Sequence, residues 1–155
     1  LGLVGCNIAI MKRFLPLFIL IGLIKGGGSF YLSPGLQIGM STKGNLFLST
    51  QVTFGYVDNS YIPIGITTGV RWYKVQKKWE KYRYNDLQIW PIIFGIGFGQ
   101  MHDKDGNKSF RFKTGVGFFG YLTYDYTTSF DIAKHNIGLI GVLPLAPTFT
   151  IEGAL

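Results

Sequence analysis

The sequence predicts an all-β fold, an antiparallel up-and-down β-barrel of about eight strands, and three observations support this prediction. First, the segments Tyr31–Ser41, Asn45–Val57 and Tyr61–Tyr73 alternate strictly between aliphatic and small polar residues, and this period of two is that of a β-strand. Second, these segments contain a single charged residue, Arg71. Third, turn-forming residues divide the rest of the chain into further segments of strand length, which gives eight strands in all.

The two faces of these strands are unlike, and the polar face is small and neutral. It consists of Gly, Ser, Thr and Gln, as at Ser33, Gln37 and Thr53, whereas Leu, Ile, Val, Met and Phe occupy the other face. Soluble surfaces are about a quarter to a third charged. A neutral face of small residues instead suits the crowded lumen of a closed barrel whose aliphatic face is turned to lipid. The pattern therefore favours a barrel in an outer membrane.

The first connections follow from turn-forming residues and from changes of parity. A hairpin turn is predicted at Thr42–Asn45, a short connection at Asp58–Ser60 and a longer basic one at Lys74–Lys81. A fourth strand runs from Tyr82 to about Trp90. It ends where the apolar residues change parity at Trp90–Ile93, as a turn or bulge would require.

The second half of the chain divides in the same way. The fifth strand ends near Met101, and His102–Lys108 is predicted as a polar loop. Ser109–Phe118 and Gly120–Thr128 are the next strands, and Asn136–Leu145 is the last, after a polar connection at Thr128–His135. Longer charged connections thus alternate with short ones, which is the arrangement of the two rims of a membrane barrel.

The N-terminal segment has the features of a secretory signal. Met11–Arg13 is basic, and Phe14–Ile24 supplies about eleven apolar residues, fewer than the roughly twenty of a spanning helix. Gly27 and Ser29 are suited to the positions before a cleavage site, so the mature chain would begin at Phe30. We therefore divide the chain into an extension with a signal segment, 1–29, and a barrel domain, 30–155.

Two alternatives for this segment remain open. It could be a helix packed on the domain, or Leu3–Cys6 could be a lipoprotein box. Cys6 is the only cysteine, which excludes an intrachain disulfide. The net charge of +7 falls to +4 without the three basic residues Lys12, Arg13 and Lys25 of this segment, and a charge of that size does not require a nucleic-acid partner.

Phe30–Leu145 resembles the small eight-stranded outer-membrane barrels of Gram-negative bacteria in its alternation and strand count. The resemblance implies contact with outer-membrane lipid and insertion by the barrel-assembly machinery, and it leaves the oligomeric state open. Such proteins commonly end on an aromatic residue of the last strand. Here Phe149 is the candidate, followed by six residues that end at Leu155.

Two motifs are better explained by turns and strands than by ligands. Asp103, Asp105 and Asn107 place oxygen atoms at alternate positions, as calcium loops do, but Asp-Gly-Asn is also an ordinary turn. We predict the turn, with a weak calcium site as the alternative. Gly115–Gly120 matches a dinucleotide-binding string but precedes an alternating segment rather than a helix. We therefore predict no cofactor.

Two sets of charged residues are candidates for binding or for structural roles. Lys74, Lys77, Lys78 and Lys81 are interleaved with aromatic residues, which is typical of a solvated loop above an interfacial aromatic girdle. Such a loop could also contact the phosphates of lipopolysaccharide, whereas nucleic acid is not expected. The second set shares the parity of the small neutral face, and we expect its members to point into the lumen and to pair there: Arg71, Asp86, Arg111, Lys113 and Asp125.

The sequence predicts a small outer-membrane barrel with a structural, surface-interaction or lipid-contacting role. An eight-stranded lumen is filled by side chains, so an open pore is not expected. One alternative is a secreted soluble barrel that binds a hydrophobic ligand, because parity alone does not say which face is inside. Another is a lipid-modifying hydrolase that uses His102 or His135 with nearby serine and aspartate residues, although no catalytic residue is assigned.

Overall fold

The computed structural model describes residues 29–57, 62–91, 93–117 and 120–142, which form one closed antiparallel barrel. The predicted fold class is therefore confirmed. Residues 1–28 of the proposed extension, which include the lipoprotein box, lie outside the described residues, as does Phe149, whereas Ser29 is the first residue of β1. The eight strands follow one another around the barrel in chain order: β1 Ser29–Ser41, β2 Leu46–Val57, β3 Pro63–Val75, β4 Lys78–Ile89, β5 Phe94–His102, β6 Lys108–Gly117, β7 Gly120–Thr127 and β8 His135–Val142.

The described part of the chain contains no helix that is both long and apolar enough to cross a membrane.

Closure occurs where β1 pairs with β8, and the ladder is offset by ten residues around the ring. The row of paired residues that begins at Leu32 on β1 passes through every strand and reaches His135 on β8. The carbonyl of His135 accepts a hydrogen bond from the amide of Thr42, which is ten residues after Leu32. An offset of ten over eight strands corresponds to a tilt of roughly 40°. The row followed is Leu32, Phe54, Ile66, Leu87, Phe98, Phe112, Tyr126 and His135.

The two ends of the barrel differ, and we name them by what they carry. The loop end carries the connections that follow β1, β3, β5 and β7, at 42–45, 76–77, 103–107 and 128–134. The terminal end carries Ser29, Val142 and the other three connections. By the strand bounds, the loop-end connections have four, two, five and seven residues, and the other three have five, four and two. The predicted contrast in length between the two rims is therefore not found.

The predicted long basic connection at Lys74–Lys81 is wrong. β3 continues to Val75 and β4 begins at Lys78, so the hairpin turns on two residues, Gln76 and Lys77. Both have positive φ, 45° and 70°, as a type I′ turn requires. The charged residues were interpreted as a loop, but Lys74 and Lys81 occupy outward positions of β3 and β4 beyond the aliphatic band.

The two histidines were also expected in loops, and this was wrong. His102 is the last residue of β5 and His135 is the first residue of β8. The error is small, since both lie where a strand meets a loop-end connection.

The structure settles which face of the strands is inside. Small polar side chains such as Ser49, Thr67 and Thr123 are buried in the lumen, whereas Leu36 and Ile66 are 64% and 62% exposed on the outside. The outer face is aliphatic and aromatic around most of the ring, with a neutral polar patch at Thr50, Thr68, Asn85 and Gln100. This arrangement is the reverse of the one that a soluble barrel with an aliphatic interior would need.

The narrow lumen requires glycine where strands and side chains approach closely, and Gly99 is one such position. A Cβ there would lie 2.0 Å from the backbone oxygen of Asn85 on the neighbouring strand. We expect Gly99→Ala to lower the free energy of unfolding by about 1–3 kcal/mol, because the backbone must move. The measurement is reversible urea unfolding of the full chain. Gly141→Ala is the control, since nothing lies within 4 Å of a Cβ there; equal losses for the two variants would contradict the prediction.

Candidate functional site in the barrel lumen

The middle of the lumen contains a network of paired charges centred on Asp125. Its two carboxylate oxygens accept hydrogen bonds from Arg71 at 2.7 Å and from Arg111 at 2.8 Å. Arg111 also pairs with Asp86. All four side chains are at most 1% exposed, so these pairs are far from solvent and hold four strands together across the lumen.

Neighbouring side chains support the two guanidinium groups. Arg71 donates to the side-chain oxygen of Gln37 at 2.6 Å and lies 4.1 Å from the ring centroid of Phe47. Arg111 lies at the same distance from the ring of Tyr84. Planar guanidinium groups both stack on aromatic faces and pair with carboxylates, which makes arginine suited to a desolvated position of this kind. The network thus fills this level of the lumen with buried, paired side chains.

The loop end of the lumen is covered by the β7–β8 connection, 128–134. Ala133 is fully buried, and Phe130 stacks edge-on against Tyr82 with ring centroids 5.2 Å apart. The carbonyl of Ala133 accepts hydrogen bonds from Thr127 and Asn136, both at 2.7 Å. The sequence predicted a polar connection here and did not identify this lid. Phe130 and Ile132 within a polar run were the available indication.

The terminal end of the lumen holds a cavity of about 350 Å³. Its polar part is deep, where Gln51, Thr53, Gln88 and Lys113 line it, and its outer part is apolar. The apolar lining includes residues at or next to the strand ends: Tyr31, Val57, Pro63, Trp90, Tyr121, Ile140 and Val142.

Trp90 is positioned over this cavity by the backbone and by a glycine. Its amide donates to the carbonyl of Pro63 at 3.0 Å, and its ring meets that of Tyr121 edge-on at 5.0 Å. A Cβ at Gly95 would lie 2.0 Å from the indole ring, so only glycine leaves space for it. The sequence marked Trp90 only as a change of parity and did not identify it as a lumen residue. Its even number, shared with the inward-facing Gln88, was the available indication.

Lys113 differs from the other lumen cations because it forms no ion pair with any described residue. Its Nζ atom donates to the side-chain oxygen of Gln51 at 3.3 Å and lies 5.4 Å from the ring centroid of Trp90. It is 1% exposed. The structure thus places all five sequence-predicted lumen charges inside the barrel, and it pairs four of them: Arg71, Asp86, Arg111 and Asp125.

The calcium candidates form a self-contained turn at the loop end. The carboxylate of Asp103 accepts bonds from the amides of Asp105 and Asn107 and from the side chain of Asn107, at 2.7–2.9 Å. These bonds, led by the one from the Asn107 side chain, lower the pKa of Asp103. Among the described residues no group of three or more His, Cys, Asp or Glu could hold a metal ion.

The residues considered for hydrolysis bond to other partners. His135 Nδ1 lies 2.7 Å from the hydroxyl oxygen of Tyr124, and Asp131 pairs with Lys43. The hydroxyl oxygen of Ser109 accepts a bond from the amide of Ser129 at 2.9 Å. Among the described residues at this rim, these hydrogen bonds do not connect a serine, a histidine and an acid in one chain.

The four lysines of the β3–β4 hairpin are exposed and project from the loop end: Lys74, Lys77, Lys78 and Lys81. Glu80 is the acidic residue on the same hairpin, and Trp79 beside it is 53% exposed.

Removing Asp125 should destabilise the barrel more than removing Asp86. Asp125→Asn leaves Arg71 without a carboxylate and Arg111 with one, and an unpaired buried charge costs about 3–5 kcal/mol of unfolding free energy. Asp86→Asn leaves both arginines paired with Asp125, so a smaller loss is expected. Urea unfolding of both variants measures the difference, with the exposed Asp131→Asn expected to leave the midpoint unchanged. Equal midpoints for Asp125→Asn and wild type would refute the central role of this carboxylate.

Comparison of the chain with protein-family models, with curated proteins and with solved structures finds no match. The function is therefore argued from the fold and from the geometry of the lumen and rims alone.

Proposed function

We propose that this protein is an outer-membrane β-barrel with a structural, surface-interaction or lipid-contacting role, and that its lumen is not a pore. The observation that carries the proposal is the inverted distribution of residues. Five charged side chains are buried inside, while aliphatic and aromatic side chains are exposed around the outside. A soluble monomer rarely exposes a continuous apolar surface of more than a few hundred Å².

The height of the apolar surface also fits a bilayer. Strands of 8–13 residues, tilted by roughly 40°, match the tilted strands of membrane barrels, whose apolar band is about 25 Å tall. Outward charges on the described strands stay near the loop end. The deepest is Arg83, the sixth residue of β4. The mid-height side chains of Thr50, Thr68 and Asn85 are polar and neutral, and Arg83 lies beside them on the same surface, so this is the least apolar part of the outer face.

The charges outside the lumen are distributed asymmetrically, which supports a defined orientation. Every such charge on the described residues lies in the half of the barrel nearer the loop end, with nine basic residues and four acidic ones. The proposed orientation places the loop end, which carries the longest connection, 128–134, outside the cell, since longer connections face outward in membrane barrels. With that orientation the β3–β4 hairpin would meet the phosphates of lipopolysaccharide, through Lys74, Lys77, Lys78 and Lys81.

The lid and the charge network argue against bulk diffusion. Phe130 and Ala133 cover the loop end, and the Arg71–Asp125–Arg111 network fills the middle of the lumen. A solute would have to break buried ion pairs to pass. Specific activity is therefore expected at the loop-end surface or in the terminal-end cavity rather than along a continuous channel.

The location is tested by placing a charge on the outer face. Ile66→Arg should weaken insertion by about 2–4 kcal/mol, because Ile66 is an outward residue near the middle of β3. The full chain is expressed in a Gram-negative host, and outer membranes are isolated. Wild type should be found there and should migrate differently without boiling, whereas Ile66→Arg should be depleted. Thr42→Arg, in an exposed turn, is the control.

Soluble, unshifted wild-type protein would contradict the membrane proposal. So would an Ile66→Arg variant that inserts as well as wild type, since an arginine on a water-exposed face is harmless.

The lipid-phosphate proposal is tested on the four hairpin lysines together. Replacing Lys74, Lys77, Lys78 and Lys81 by glutamine should weaken binding of lipid A by tenfold or more, because each lysine near an anionic surface contributes about 1 kcal/mol. Binding is measured with the full chain in phosphocholine bicelles that contain increasing lipid A. The matching fourfold arginine variant keeps the charge and should keep the affinity. Unchanged affinity of the glutamine variant would refute the proposal.

A further inference from the structure

We propose that the terminal-end cavity is a binding site for a small monocarboxylate with an apolar tail, held by Lys113 and Trp90. This inference does not depend on the membrane location, because the cavity lies inside the barrel whichever medium surrounds it.

The polarity of the cavity matches such a ligand from head to tail. Lys113 and Gln51 line its deep part, and Val57 and Val142 are the last residues of β2 and β8 at its outer part. The volume of about 350 Å³ lies at the small end of the 300–1,000 Å³ typical of ligand pockets. An acidic head would reach the polar part, and a short apolar tail would contact the aliphatic and aromatic rim.

The charges of the lumen provide the second argument, because they do not cancel. Arg71, Arg111 and Lys113 face two carboxylates, Asp86 and Asp125, and both carboxylates pair with the arginines. One positive charge is left, on the residue that lines the cavity. A buried cation without a counter-charge is unfavourable, and a bound anion would neutralise it.

One buried donor in the same lining, the indole Nε1 of Trp90, forms no hydrogen bond with any described residue. The side-chain oxygen of Gln88 is also unpaired among the described residues, but it is an acceptor and a carboxylate does not satisfy it. Buried polar groups are hydrogen-bonded in the great majority of cases. A carboxylate has two oxygens, and it can accept from the Lys113 ammonium and from the Trp90 indole N–H together.

The test uses hexanoate as the probe and Trp90 as the reporter. The chain has three tryptophans, Trp72, Trp79 and Trp90, so replacing the first two by phenylalanine leaves Trp90 alone in the cavity. Hexanoate is titrated against the full chain carrying these changes, and Trp90 fluorescence is recorded. Hexanol and hexylammonium have the same tail and serve as matched probes. We expect a saturable change with hexanoate, at least tenfold weaker binding of hexanol and no saturable change with hexylammonium.

The matched variants separate the site from partition into detergent or lipid. Lys113→Met removes the charge at similar length and should weaken hexanoate binding about tenfold or more, since a hydrogen bond to a charged group contributes about 1.5–3 kcal/mol. Lys108→Met, at the loop end, should leave binding unchanged. Ile140→Phe enlarges a side chain that lines the cavity without adding a second tryptophan or touching a lumen charge. It should weaken hexanoate binding at least tenfold even if Lys113→Met fails to fold.

Three outcomes would overturn the proposal. They are the absence of a saturable change with hexanoate, equal binding of hexanoate and hexanol, and unchanged hexanoate binding in a folded Ile140→Phe variant.

Discussion

The closed backbone ladder is the constraint on which the rest of the structure depends. Eight strands offset by ten residues leave a lumen of limited width, and every inward residue must fit within it. Glycine, serine and threonine therefore occupy many inward positions, and they leave space for the larger side chains between them. Trp90 over Gly95 is the clearest example. Closure also turns the aliphatic face outward on every strand at once, because inward and outward residues alternate without interruption.

Alternation was sufficient to predict the fold, because within each strand the aliphatic residues, such as Leu36 on β1 and Ile66 on β3, keep one parity with few exceptions. It failed where charge and strand coincide. Lys74–Lys81 was interpreted as a loop because exposed lysines are common in loops, but only the backbone geometry of Gln76 and Lys77 reveals the two-residue turn. Parity placed the five lumen charges on one face. It did not reveal which charges would pair, because pairing depends on the offset between distant strands. The cavity has no local sequence pattern at all, since its lining comes from seven of the eight strands and Trp90.

The lumen divides into three levels with different physical roles. Aromatic side chains and the 128–134 lid close the loop end, paired charges connect strands across the middle, and the cavity occupies the terminal end. The middle level separates the other two, because opening a path between them would break several buried ion pairs at once. The loop-end surface and the cavity are therefore chemically independent, and a substitution at the β3–β4 hairpin need not affect the cavity.

The pairing of β1 with β8 has a consequence for how the chain is made. β1 forms twelve residue pairs with β2, its neighbour in sequence, but only seven with β8, about a hundred residues away. Until β8 has been synthesised, β1 keeps one open hydrogen-bonding edge, and such edges recruit strands from other molecules. A chain that lacks β8 would carry two unprotected strand edges and an apolar exterior, and both features favour association with other molecules.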